Sequence, residues 1–235
     1  AVGKTDKNGE LTVPEVEQTE RHGVYIVGYT DGTFGPSRSM TRSEAAAIFA
    51  RLLAEKNGDT ISTAANTKFA DIPAHAWYSG YVKYLCNNGI TYGKSKTIFA
   101  PNDAITRAEF TTMAVRFFDV YGDGDAEIME QFSGFNDVSS GYWAAEYIKY
   151  AALHGWINGY GDGSFHADRE INRAEVVTIV NRLLGREADE SYIADNLRKL
   201  NTFRDMSGKH WAYYAVMEAA NAHTAVLGES ESWSK

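Results

Sequence analysis

The sequence predicts an all-α fold with short β-strands, built from three pseudo-equivalent units. Three observations carry this. A short phrase recurs as Met40-Thr41-Arg42-Ser43-Glu44, Ile105-Thr106-Arg107-Ala108-Glu109 and Ile171-Asn172-Arg173-Ala174-Glu175, with arginine spacings of 107 − 42 = 65 and 173 − 107 = 66. A second phrase keeps step with it: Phe69-Ala70-Asp71 before Trp77, Phe135-Asn136-Asp137 before Trp143, and Phe203-Arg204-Asp205 before Trp211. Between these markers apolar residues recur every three or four positions, as an amphipathic helix requires. A period of this size identifies a repeat architecture whose single units are too small to bury a core unaided.

Taken in order, Ala1 to about Gly23 is polar and reads as irregular, with a turn at Asn8-Gly9. Val24 to Tyr29 is a β-prone run that stops at the turn Asp31-Gly32. A helix starts at Thr41, with Ala45, Ile48, Phe49, Leu52 and Leu53 on its apolar face. The next begins near His75 or Ala76, carries Trp77, Tyr81, Tyr84 and Leu85, and ends at Asn87-Asn88-Gly89. A third follows Thr106 with Phe110, Met113, Ala114, Phe117 and Phe118. Tyr121 to Asp125 separates it from a repetition of the pattern: a helix with Trp143, Tyr147 and Tyr150, a glycine-rich turn at 159–163, and a helix with Val176, Ile179, Val180, Leu183 and Leu184. Arg186 to Lys199 reads as helical, and the residues after His223 as a polar tail.

The order is thus half a unit, two whole units and half a unit. The expected divisions are 1–66 (second half of the first unit), 67–134, 135–200, and 201–235 completing the first. Complementarity of the two ends points to a closed three-fold ring, although periodicity alone equally permits an open solenoid.

Composition narrows the function classes. A formal net charge of −8 disfavours a nucleic-acid partner. No apolar run reaches the roughly 18 residues that a membrane-spanning helix needs. The lone Cys86 has no intramolecular disulfide partner and reads as a buried thiol. Ala1-Val2-Gly3-Lys4 has neither an initiator methionine nor an apolar stretch, so the chain reads as a mature or excised piece of something longer. The six histidines show no ligand spacing, and Asp123-Gly124-Asp125 lacks the glycine and glutamate of a calcium loop, so no metal and no cofactor is expected. A nucleophile elbow, a phosphate loop and a dinucleotide fingerprint are all missing from the sequence, and no carboxylate pair stands out, which argues against an enzyme.

Within the repeated phrase, Thr41 with Glu44 and Thr106 with Glu109 fit a capping box, and Asn172 with Glu175 uses another favoured cap. The arginines do not fit that explanation. A cation at the first helical position sits against the dipole, so Arg42, Arg107 and Arg173 read as an anion-binding corner beside free N–H groups. The rival reading pairs them with Asp71, Asp137 or Asp205. Trp77, Trp143 and Trp211 read first as core residues heading a helical face; exposed beside an arginine, they would suit a sugar ring. The phrases Gly28 to Phe34 and Gly159 to Phe165 are turn chemistry whose backbone could line a groove.

In this cyclic order, Phe-x-Asp…Trp, Gly-Tyr-x-Asp-Gly-x-Phe and Thr-Arg-Ala-Glu resemble the S-layer homology domain of bacterial surface proteins over about residues 23–223. The resemblance implies a bundle of three pseudo-symmetric helix–loop–helix units with grooves between prongs. It further implies a non-catalytic, extracellular anchor, monomeric with internal symmetry, that binds a cell-wall polysaccharide linked to peptidoglycan, often pyruvylated. Arg42, Arg107, Arg173, Trp77, Trp143 and Trp211 carry over as groove residues, with Asp71, Asp137, Asp205, Gly28, Gly93 and Gly159 assigned beside them. The alternative is a self-assembly module whose grooves bind protein. The second unit departs from the pattern at Tyr92-Gly93-Lys94-Ser95-Lys96, which predicts a more basic groove. Alanine at the three arginines is expected to weaken wall binding while the caps keep the fold intact.

Overall fold

The computed structural model describes residues 4–5, 11–12, 18–121, 132–227 and 231–234. Among the described residues seven α-helices run in order: α1 (Arg42–Asn57), α2 (Ser79–Asn87), α3 (Arg107–Tyr121), α4 (Ala145–Leu153), α5 (Arg173–Leu184), α6 (Glu190–Asn196) and α7 (Tyr213–Ala220). The short strands are β1 (Lys4–Thr5), β2 (Leu11–Thr12), β3 (Gln18–His22), β4 (His223–Leu227) and β5 (Ser232–Ser234). The expected turn at Asn8-Gly9 and the segment Gly122 to Asp125 lie outside the described residues.

The repeat phrases build the centre. Helices α1, α3 and α5 begin one residue after Thr41, Thr106 and Asn172, because each of these side chains accepts the N–H of the glutamate three residues on. Each glutamate returns the bond to the cap backbone. Just before the caps, the Met40 N–H donates to Ile171 O (2.9 Å), Ile171 N–H to Ile105 O (3.0 Å), and Ile105 N–H to Met40 O (2.9 Å). Those three bonds form a cycle, so the arrangement is a closed pseudo-three-fold bundle. Met40, Ile105 and Ile171 are fully buried.

An outer helix covers each central one: α2 packs on α1, α4 on α3, and α7 on α5. A carboxylate clamp fixes the loop that joins outer to central helix. Asp71 accepts from the N–H groups of Phe99 and Ala100, Asp137 from those of Phe165 and His166. Asp205, from the C-terminal half-unit, accepts from Phe34 (2.7 Å) and Gly35 (2.8 Å) of the N-terminal one. Burial tends to raise the Asp137 pKa, but the two amides outweigh it and hold the carboxyl below its usual range. The residue after each buried phenylalanine is left-handed: Gly35, Ala100 (φ 59°) and His166 (φ 56°). The clamp thus holds two non-glycine residues in a conformation L-residues disfavour.

Several local expectations are corrected. Val24 to Tyr29 is not a strand; β3 lies just before it and pairs with β4 in the segment read as a polar tail. α2, α4 and α7 start at Ser79, Ala145 and Tyr213, so Trp77, Trp143 and Trp211 each sit in the turn ahead of an outer helix. The 186–199 segment holds α6 and a short 3₁₀ turn at Leu197–Lys199. Cys86 is partly buried, which raises its thiol pKa.

Candidate functional site

Each repeated arginine lies at the first helical position, yet the helix ends beside them are already filled. The Arg42 and Ser43 N–H groups donate to Asp103 O and Pro101 O, those of Arg107 and Ala108 to Arg169 O and Ala167 O, and those of Arg173 and Ala174 to Arg38 O and Pro36 O. Backbone carbonyls of a neighbouring unit therefore take the place expected for an anion, and no anion corner exists there.

The arginine side chains are themselves buried, at 4% exposure for Arg42, 5% for Arg107 and 4% for Arg173. Their Nε atoms donate to Phe99 O (2.8 Å), Phe165 O (2.9 Å) and Phe34 O (2.8 Å). Arg42 pairs with Glu109 (3.0 Å) and Arg107 with Glu175 (3.1 Å). The partner is thus the capping glutamate of the next central helix, not Asp71, Asp137 or Asp205. Burial pulls the Arg107 and Arg173 guanidinium groups below their ordinary range; Tyr160 and Glu175 oppose this at Arg107, Tyr29 and Glu44 at Arg173. Alanine at these positions would leave the Phe99, Phe165 and Phe34 carbonyls without their buried donors, so the expectation of an intact fold does not fit the geometry.

Two grooves open beside these arginines. The α5 groove, about 260 Å³, is lined by Arg107, Gly159, Tyr160, Glu175, Arg182 and Trp211 among others. The α3 groove, about 100 Å³, is lined by Arg42, Tyr92, Gly93, Glu109, Arg116 and Trp143 among others. Core packing is excluded for the tryptophans, since Trp77, Trp143 and Trp211 are 53%, 57% and 65% exposed. Both grooves thus have a buried arginine and an exposed indole among their lining residues. Asp71, Asp137 and Asp205 line neither groove. Gly28, Gly93 and Gly159 have a packing reason: a Cβ there would come within 3 Å of Phe203, Phe69 and Phe135 respectively.

The sequence reading missed a second arginine, Arg51, Arg116 and Arg182, nine residues after the first in each central helix. Its spacing of 116 − 51 = 65 and 182 − 116 = 66 was a visible signal. Also missed was a rim pair. Arg38 stacks on Tyr29 (4.3 Å) and Arg169 on Tyr160 (5.6 Å). Arg169 also pairs with Glu175. In the second unit Lys94 and Asp103 stand at the matching positions and form an ion pair at 2.9 Å. Lys94 is therefore neutralised, which corrects the expectation of a more basic groove.

The S-layer homology domain matches this chain at residues 12–46, 68–111 and 134–177. The cellulosome-anchoring protein of Acetivibrio thermocellus is 29% identical over 229 residues, 97% of this chain and 48% of that protein. Cell surface glycoprotein 1 of the same organism is 33% identical over 218 residues, 89% of this chain and 9% of its own length. The surface-layer 125 kDa protein of Lysinibacillus sphaericus is 32% identical over 163 residues, 68% of this chain and 13% of its own. The chain spans less than half the length of each of these relatives.

Proposed function

The chain belongs to the S-layer homology family, and from that premise we propose that it anchors a larger protein at the bacterial cell surface by binding a peptidoglycan-linked wall polysaccharide in its grooves. The observation that carries this is the pairing, in both grooves, of a buried arginine with an exposed tryptophan. The indole offers an apolar face to the C–H side of a pyranose. The arginine fork and the second arginine of the helix take its anionic substituent, such as a pyruvyl ketal. The α5 groove is the principal site, being wider and carrying exposed Arg182 at its rim. The anchor acts without catalysis and needs no cofactor. Among the described residues, no helix is long and apolar enough to cross a membrane.

The test is co-sedimentation with purified sacculi of a bacterium that carries surface-layer proteins, before and after hydrofluoric acid strips the wall polymer. Binding should vanish on stripping, and Trp211→Ala with Arg182→Ala should weaken it without lowering the melting temperature, both residues being exposed. Equal sedimentation on stripped sacculi would overturn the proposal, and self-association of the chain in their absence would favour the assembly reading.

A further inference from the structure

No histidine spacing along the chain suggests a metal, yet two histidines 201 residues apart meet across the strand pair that joins its ends. In that pair His22, the last residue of β3, lies opposite His223, the first of β4. Glu218 reaches the same point from α7, and Glu231 from the segment leading into β5. All four side chains are at least 95% buried.

We propose that His22, His223, Glu218 and Glu231 form a structural binding site for a divalent transition-metal ion, zinc being the best fit. The first argument is metric. His22 Nδ1 lies 3.2 Å from His223 Nε2, 3.2 Å from Glu218 Oε1 and 3.3 Å from Glu231 Oε1. His223 Nε2 lies 3.3 Å from Glu218 Oε2 and 3.3 Å from Glu231 Oε1. Donors about 2.0–2.1 Å from a tetrahedral zinc stand about 3.3–3.4 Å apart. The three separations among His22 Nδ1, His223 Nε2 and Glu231 Oε1 therefore already have close to the tetrahedral length, and one oxygen of Glu218 stands at the same distance from each histidine.

The second argument is electrostatic. His223 Nδ1 is 2.9 Å from Asn221 O, which makes it the donor and turns the Nε2 lone pair toward the cluster. With both imidazoles neutral, the cluster holds two buried carboxylates and no cation of its own. A divalent cation between two neutral imidazoles and two carboxylates balances that charge. It also provides a partner for Glu218 Oε2, which is buried and makes no hydrogen bond.

The outer contacts are those of a built site. Glu231 Oε2 accepts from the Glu187 N–H (2.9 Å) and its Oε1 from the Trp233 indole (3.0 Å). The Trp233 ring stacks on His223 at 3.8 Å. Two nitrogens with two carboxylate oxygens suit zinc, cobalt, nickel or copper rather than calcium or magnesium. Four protein donors at a buried point leave no open position, so the ion would fasten the N-terminal strand to the C-terminal elements rather than catalyse.

The experiment uses the untagged 235-residue chain, stripped with a strong chelator and titrated with zinc chloride alone. One zinc should bind per chain. The melting temperature should rise by roughly 10 °C once free zinc is about a thousand-fold above Kd, with no response to calcium or magnesium. Cobalt should give the intense visible absorption of a four-coordinate site. His22→Ala and Glu231→Gln should each weaken zinc binding by more than about a hundred-fold, the upper loss seen when only an outer partner of a metal ligand is removed. Substoichiometric zinc without a thermal shift, a weak six-coordinate cobalt spectrum, or binding unchanged in both variants would each overturn the proposal. Stoichiometry and the cobalt spectrum are read on the unaltered chain, so they decide the matter even if a variant fails to fold.

Discussion

Around Arg107, the α5 groove has the Tyr160–Arg169 pair on its rim and Ala215 in the outer helix; around Arg42, the α3 groove has Lys94–Asp103 and Tyr147 at the equivalent positions. The floors match, because the arginine there is a structural part: it ties a loop carbonyl to the next unit's capping glutamate. The rims differ, because they face water and the fold does not depend on them. In the α3 groove Arg116 is held by the Tyr147 hydroxyl (3.1 Å) and lies over Tyr92 (4.9 Å). With alanine at 215, Arg182 stays exposed and the cavity is larger. One scaffold thus presents an open groove and a narrowed one, and the internal repeat does not imply equivalent sites.

The strongest way to break the comparison is at the floor. Arg42→Ala should destabilise the chain by about 2–3 kcal/mol, since it leaves the buried Phe99 carbonyl unsatisfied and takes the cation from the partly exposed Glu109. Arg107→Ala should cost about 1 kcal/mol less, because Arg169 gives Glu175 a second cation, whereas Asp103 occupies that position near Glu109. Urea denaturation of both variants checks the ranking, and equal losses would remove Arg169 from the account. Next comes groove width. Ala215→Tyr should narrow the α5 groove and lower sacculus affinity about ten-fold, roughly 1.4 kcal/mol, while Tyr147→Ala should free Arg116 and raise affinity at the α3 groove. Isothermal titration with solubilised wall polymer distinguishes these from changes of fold. Trp211→Ala should cut polymer affinity more than Trp143→Ala, with stability in either variant moving by no more than about 0.5 kcal/mol, as for other exposed positions. The smallest stability effect belongs to Lys94→Tyr combined with Asp103→Arg. This swap rebuilds the other rim and should leave the melting temperature nearly unchanged, since an exposed ion pair contributes about 0–1 kcal/mol. Polymer binding measured against salt should then become steeper at the α3 groove.

Much of the fold was legible in the chain. The capping boxes placed the starts of α1, α3 and α5 within a residue, because a cap is a local contract between positions i and i+3. Complementary half-units anticipated the ring that Asp205 and the Met40–Ile105–Ile171 cycle close. The site was legible only in part. Arg42, Arg107, Arg173 and the three tryptophans were found from their period, but their burial was inverted: the arginines lie inside and the indoles outside. Helical periodicity marks a face, and only the neighbouring unit decides what covers that face. All three tryptophans also fell outside the outer helices, where an apolar stripe says nothing about burial.

What the sequence determined by itself was the count of units, their cyclic order and the helix starts, all of which depend on contacts within a few residues or on a regular period. Only tertiary structure decided the rest. It showed that the helix N–H groups are spent on a neighbour's carbonyls, that Arg42 and Arg107 pair with the next unit's glutamate, and that His22, Glu218, His223 and Glu231 converge. Arg107 and Glu175 are 68 residues apart, and His22 and His223 are 201. Nothing local distinguishes one distant partner from another; closing the ring does, by bringing buried charges together where they must be matched.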